Sequence, residues 1–349
     1  MMRCRRRTWL LTALLTALIA GLAVSGLALA GKPAKPGGGG GGSDPVPAGT
    51  VYFVQGDFEN GFDALPRSMK ADGSDKAASI EGEPSYQLHD GARWFLTSIV
   101  SGVDEWGWPT SFEFVAVADD GTVVPLGVES PEFIWGRWAK DDSFLSCELI
   151  VDGTEGTSAG LFVANVDWSL GIPIIAAPVN VLDINLYDGY YPEVYYFDWS
   201  PEGDEAVYVR EERPDPNSFD AYYSLEVVRF FADGTTATRV LSESYAYAPV
   251  WSPDGSRIAY EGSGGLWTVL RDGTGALQVS SPKWPSVHLE PGWSPDSQHL
   301  VFTQSTRDKA KGAYLRTSAY DVLRISASGG GTVNLTGDTD EDCYGTAWR

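Results

Sequence analysis

One pattern recurs along this 349-residue chain, and a chain built of recurring units folds as repeated copies of one supersecondary structure. The copies are Trp138-Ala-Lys-Asp-Asp142, Trp199-Ser-Pro-Glu-Gly203, Trp251-Ser-Pro-Asp-Gly255 and Trp293-Ser-Pro-Asp-Ser297, with a weaker one at Leu88-His-Asp-Gly91. They lie about 42 to 61 residues apart, the length of four strands plus loop insertions. Each ends in a turn of the Pro-Asp-Gly kind, in which Pro presets φ, Asp bonds its own backbone and Gly takes positive φ. A β-rich run follows each turn: Arg93 to Val100, Phe144 to Val151, Glu205 to Arg210, Arg257 to Tyr260 and His299 to Thr303.

The second half of each unit is nearly as regular. A third strand leads into an Asp-Gly-Thr or Asp-Gly-Ser turn, at Asp72, Asp120, Asp233 and Asp272, and a fourth strand follows. Asp-Gly between alternating apolar residues is a strong hairpin signal. Ser328-Gly-Gly330 plays this part in the last unit, and Val166-Asp-Trp-Ser169, poorly, in the third. No long helical periodicity interrupts the pattern, so the chain reads as all-β.

Trp-Ser-Pro-Asp-Gly, a strand like Ile-Ala-Tyr, a strand like Leu-Trp-Thr-Val and then Asp-Gly-Thr together resemble the repeat of the TolB-type, WD40-like β-propeller family; residues 251 to 275 carry it almost in full. The resemblance covers roughly residues 50 to 349. It implies a six-bladed β-propeller with four antiparallel strands per blade. Gly345-Thr-Ala-Trp-Arg349 reads as a first strand that stops, while Thr50 to Gln55 and Ala64 to Ala71 read as second and third strands. The C-terminal strand is therefore expected to complete the N-terminal blade, which removes exposed sheet edges. A seventh blade would need a repeat within Gly171 to Val194, where no pair of turns is visible. Within the family, TolB carries an α/β domain ahead of its propeller. Here a glycine tether stands in that place, so the resemblance is to the propeller alone.

Residues 1–30 are expected to be a signal peptide. Arg3, Arg5, Arg6 and Arg7 form a basic start, Trp9 to Leu29 is apolar with small residues, and Ala28-Leu-Ala30 suits a signal peptidase. Residues 31–49 form a Pro/Gly-rich linker containing six consecutive glycines, Gly37 to Gly42. Residues 50–349 are then the folded part, expected in the periplasm or outside the cell, as a monomer without membrane insertion after cleavage. Acidic residues outnumber basic ones 47 to 25 and the net charge is −22. Such a field repels nucleic acid, whose binding rests on Lys and Arg neutralising phosphates.

The tight turns join first to second and third to fourth strands, so the long insertions (Gly56 to Asp63, Ser101 to Thr110, Val179 to Glu193, Arg210 to Tyr222, Ser281 to Glu290 and Thr303 to Ala319) gather in the other connections and are expected as loops on one face. Long loops on a rigid scaffold are where binding resides. Candidate binding residues on that face are Trp106, Trp108, Tyr187, Tyr190, Tyr191 and Trp284, aromatics suited to a protein or glycan partner. Asp338, Asp340 and Asp342 alternate in the last inter-blade loop, a spacing that can converge on calcium. The loop departs from the calcium-loop pattern at Cys343 and Arg349. No cofactor is otherwise required. Cys147 and Cys343, in non-adjacent blades, are expected to remain thiols. His89, His288 and His299 have no metal-ligand spacing. There is no His-Glu-x-x-His or phosphate loop. The expected role is a non-enzymatic binding module of the bacterial envelope or exterior. The alternative is a propeller enzyme of lactonase, hydrolase or polysaccharide lyase type, with a metal or acid/base site at the channel mouth. Converging His, Asp or Glu from several blades would favour the enzyme.

Overall fold

The computed structural model describes residues 48–348 apart from 57–64, 79–85, 90–91, 108, 119, 132–133, 135, 140–142, 154–155, 185–196, 213–221, 232–235, 243–244, 308–316 and 340–341. All regular structure among the described residues is β, and every pairing is antiparallel. No helix among them is long and apolar enough to cross a membrane.

The strands fall into short sheets that follow the repeat. β1 (Thr50–Gly56), β2 (Leu65–Lys70) and β3 (Ala77–Ala78) form a meander. The next sheet is β4 (Tyr86–His89), β5 (Ala92–Val103), β6 (Pro109–Ala118) and β7 (Val123–Ser130). After it come β8 (Gly136–Trp138), β9 (Phe144–Gly153), β10 (Gly156–Asp167), β11 (Ile174–Ile175) and β12 (Val179–Ile184). A fourth sheet holds β13 (Phe197–Trp199), β14 (Glu205–Glu212), β15 (Tyr222–Phe230) and β16 (Thr236–Ser242). The two best-formed repeats give β17 (Ala246–Trp251), β18 (Arg257–Gly262), β19 (Gly265–Leu270) and β20 (Leu277–Gln278), then β21 (Ser286–Trp293), β22 (His299–Arg307), β23 (Thr317–Ser326) and β24 (Val333–Asn334). The last strand, β25 (Asp342–Trp348), pairs antiparallel with β1, so the N-terminal sheet reads β25-β1-β2-β3.

Two compact units result. A central unit lies within Glu83–Ser244, and a terminal unit unites the segment up to Gly82 with Tyr245–Arg349. Three sheets belong to each. In the central unit, Trp94, Leu96, Phe114, Leu126, Trp138 and Leu145 close one apolar layer, and Leu161, Phe197, Trp199 and Tyr208 close the next. In the terminal unit, Val51, Phe53, Met69, Val301, Val322, Cys343 and Trp348 form one layer, and Leu266, Trp293, Leu300, Phe302 and Ile325 another.

The repeat's Trp and Ser have separate physical roles. Each Trp is buried, and the indole N–H groups of Trp138, Trp199 and Trp293 reach the preceding sheet. Trp138 donates to the Trp94 carbonyl at 3.2 Å, Trp199 to Ser146 Oγ at 2.7 Å and Trp293 to the Val250 carbonyl at 3.1 Å. At these three positions phenylalanine would fill much of the volume but leave the acceptor without that donor. The Ser closes the turn. Ser252 Oγ donates to Asp254 Oδ1 at 2.6 Å and accepts the Arg257 N–H at 3.0 Å, and Ser294 repeats both contacts with Asp296 and His299.

In the third sheet one segment departs from the sequence reading. Val179 to Glu193 was expected to be an inter-sheet loop, but Val179–Ile184 is β12 and pairs with β10 from Ala159 to Val163. Ile174–Ile175 pairs further along the same strand, at Val166 and Asp167. β10, at twelve residues, is long enough to hold both partners along one edge. Cys147 and Cys343 are buried thiols.

Candidate functional site

Trp106 sits at the tip of the β5–β6 hairpin in the central unit and is 77% exposed. Its backbone N–H donates to Asp104 Oδ1 at 2.9 Å, and the Gly107 N–H donates to the Asp104 carbonyl at 3.0 Å. The Asp-x-Trp-Gly turn therefore organises itself, with Asp closing an Asx turn and Gly107 at φ 78° completing it. The indole is left in water while the backbone below it is fixed. Trp284, in the terminal unit, lies in the β20–β21 connection and is 63% exposed. Trp108, Tyr187, Tyr190 and Tyr191 lie outside the described residues.

The acidic loop is divided in the same way. Asp338 is exposed and ion-paired with Lys76, and Asp342 Oδ1 accepts the Tyr320 N–H at 3.0 Å. Asp340 lies outside the described residues. Among the described residues no group of three or more His, Cys, Asp or Glu is arranged to hold a metal.

Inside the terminal unit the structure brings together titratable groups that were not singled out in the sequence. Glu261 on β18 is buried, and its Oε1 accepts the backbone N–H of Glu290 on β21 at 2.7 Å. Burial, with a smaller contribution from the neighbouring Glu290 charge, pushes the Glu261 carboxyl up to about 7. Loss of water raises Glu290 as well. His288, two residues before Glu290, is buried between Ser280 Oγ (2.9 Å from Nδ1) and Gln304 Oε1 (3.2 Å from Nε2), with its ring 4.5 Å from that of Phe302. Burial lowers its pKa. The Leu266 N–H donates to Ser280 Oγ, so the hydroxyl proton is available to Nδ1 and a neutral imidazole can donate from Nε2 to Gln304.

Backbone shape places Glu290. It precedes Pro291 and holds φ 51°, and the β21–β22 register slips between Leu289 and Gly292. Ala248 before Pro249 does the same at φ 45°, with a slip between Tyr247 and Val250. Proline cannot donate to the ladder, so each first strand bulges three residues before its repeat Trp. That bulge turns the Glu290 N–H away from the ladder and toward Glu261.

The signal was present in the repeat register. Ten residues after the repeat tryptophans stand Glu148, Val209, Glu261 and Thr303. Val209 is fully buried at that position, so an acid in the same register marks a polar interior.

A second buried polar group, in the central unit, is satisfied. Tyr208 OH donates to Glu226 Oε2 at 2.5 Å, and Ser224 Oγ and Arg210 Nε also donate to that carboxylate at 2.9 and 3.1 Å. Burial pushes the Tyr208 phenol well above its usual range, so it stays protonated as a donor.

No protein-family profile matches the chain. The Tol-Pal system protein TolB of Alcanivorax borkumensis is 35% identical over 107 residues, 29% of this chain and 23% of that one. The sequence likeness is to the TolB-like repeat family. The match spans less than a quarter of that relative's length. Among solved structures, a candidate TolB from Agrobacterium tumefaciens superposes with TM-score 0.45 at 15% identity, over 86% of this chain and 98% of that one. An oligogalacturonate lyase in complex with manganese gives 0.48 at 15%, over 70% and 62%. Prolyl oligopeptidase B of Galerina marginata gives 0.46 at 12%, over 83% and 42%. With TM-scores below 0.5, none of the three bears on what this chain does.

Proposed function

We propose that the chain is an exported, six-bladed propeller of TolB-like repeats, acting outside the cytoplasm as a non-enzymatic binding module for a protein or glycan. The order β25-β1-β2-β3 supports closure through the N-terminal blade. The observation that carries the binding role is Trp106, a large aromatic held in water by a self-bonded turn at the end of a long hairpin. An exposed rigid indole contacts a partner at little cost in conformational entropy. Affinity capture with the mature chain from envelope and medium extracts tests this, beside a variant carrying Trp106→Ala, Trp108→Ala and Tyr190→Ala. A partner retained by the wild type and lost by the variant supports the reading. One held equally by both refutes it.

One observation favours a second reading. Glu261 and Glu290 come from adjacent sheets and meet through a hydrogen bond, and a carboxyl near neutrality is suited to proton transfer. A propeller enzyme of lactonase, hydrolase or polysaccharide lyase type would lose turnover in both Glu261→Gln and Glu290→Gln. Calcium at Asp338, Asp340 and Asp342 is a separate proposal. It requires Asp338 to exchange Lys76 for the ion, and a melting temperature indifferent to calcium and to chelator rules it out.

A further inference from the structure

The β5–β6 hairpin runs past the core of its own sheet. Trp94, Leu96 and Ser98 are buried along β5, but the face they define continues outward to Val100, 50% exposed, and then to Val103, 60% exposed, ahead of Trp106 at the tip. Val100 is paired with Phe112, which is half-buried, and the ladder slips on either side of Gly102. Ser101 and Ser111 hydroxyls join across the hairpin at 2.9 Å. The projection is thus a formed ladder rather than a loose loop, and it carries a β-branched aliphatic and aromatic surface into solvent.

Its charge has one sign. Between Arg93 and Arg137 there is no Lys or Arg, while Asp104, Glu105, Glu113, Asp119, Asp120, Glu129 and Glu132 are all acidic. Glu105 is exposed beside Trp106, and Glu113 lies opposite Ile99 on the ladder. Asp104 is partly committed to the turn, so the field at the tip comes mainly from Glu105 and Glu113.

We infer that this hairpin is a docking surface for a basic, apolar segment of a partner polypeptide, an inference that rests on the binding-module reading. Aliphatic Val100 and Val103 match aliphatic or aromatic side chains, whereas a sugar stacks on flat rings and finds only Trp106 among the described exposed residues here. The one-signed acidic field repels anionic glycans and nucleic acid and draws Lys and Arg, raising the encounter rate and suppressing wrong partners.

The test uses the full chain and fluorescein-labelled twelve-residue peptides read by anisotropy. One peptide alternates Lys or Arg with Leu and Trp. A second keeps the cations but has serine for every apolar residue, and a third has Glu for every cation. The expected result is saturable binding of the first peptide alone, weakened at high salt. Its Kd rises about tenfold in Val103→Ser/Trp106→Ser, as for removal of a central aromatic contact. It rises about threefold in Glu105→Gln/Glu113→Gln, as for rim charges. All four substituted residues are at least partly exposed, so both variants should keep the wild-type melting curve, and that curve is recorded with each titration. Equal binding of the first two peptides overturns the proposal, because only net charge is then being read. Full binding by both variants overturns the hairpin but leaves a binding module with its site elsewhere. If no peptide binds while a neutral oligosaccharide binds and is lost in Val103→Ser/Trp106→Ser, the partner class is wrong and the surface stands. If nothing binds and affinity capture retains no partner, the binding-module reading fails with it.

Discussion

Glu261 is the residue whose environment departs furthest from water. Its folded carboxyl titrates at about 7, against 4.5 in the unfolded chain. Between those values the folded state holds a proton that the unfolded state has released, so the group's contribution is complete below about pH 4.5 and is lost as pH rises through 7. The slope is at most about 1.4 kcal/mol per pH unit, for a total of about 3 kcal/mol. Glu261→Gln can still accept the Glu290 N–H and has no charge to desolvate. It should melt like the wild type at pH 4.5 and several degrees higher at pH 8; parallel melting profiles for the two proteins would show that Glu261 is not held protonated. Aspartates in the hairpin turns act in the opposite direction. Asp72 is lowered chiefly by the Ser74 hydroxyl and Asp120 by the Thr122 hydroxyl, so their contributions are present above about pH 4 and fade as pH falls. At the repeat position, Trp293→Phe should cost about 1–3 kcal/mol in denaturant unfolding, since the Val250 carbonyl loses its donor. A cost near zero would show that packing alone fixes the tryptophan.

The turns test the same logic at the level of elements. Gly73 and Gly121 both hold left-handed φ, 84° and 88°, in equivalent Asp-Gly turns. A Cβ on Gly73 would come 2.7 Å from the Leu335 carbonyl oxygen, whereas one on Gly121 would meet nothing within 4 Å. Gly121→Ala should therefore cost about 1–2 kcal/mol from backbone strain alone, and Gly73→Ala clearly more, because a neighbouring backbone must also move. Equal losses for the two would mean that the Leu335 contact is slack. The elements most legible in the sequence are those whose turn chemistry is local. β14, β18 and β22 each follow the expected Pro-Asp-Gly-type turn, and Asp72, Asp120 and Asp272 each head a turn between the third and fourth strands. β12 was hidden because its pairing with β10 is fixed by tertiary placement, and Val179-Asn-Val-Leu carries no turn that announces a strand. The Glu261–Glu290 contact was hidden for a related reason. It depends on a left-handed residue before proline, a conformation that sequence alone disfavours. Trp106 was legible as an aromatic in a long connection, but the turn that holds it and the length of the hairpin below it were not. Ser101 to Thr110 reads as loop in the sequence, and the ladder in fact extends through Val103 and resumes at Pro109.

Across the whole molecule the repeat determines architecture, and function rests on where copies differ. β25 seals β1 and buries Cys343 and Trp348 against Val51, Phe53 and Val301 in the terminal unit. Deleting residues 342–349 should leave β1 as an open edge and lower the melting temperature by at least about 10 °C. An unchanged melting curve would show that the C-terminal strand is dispensable. The exposed hairpin of the central unit and the Glu261–Glu290 pair of the terminal unit point to different activities, so the deciding measurement compares them directly. Partner capture should be quantified for the wild type, Trp106→Ala and Glu261→Gln, each checked for its melting temperature. A partner bound by the wild type and Glu261→Gln and lost by Trp106→Ala is the result a binding module predicts. Capture that is indifferent to Trp106 and abolished by Glu261→Gln would contradict it and place function at Glu261 and Glu290.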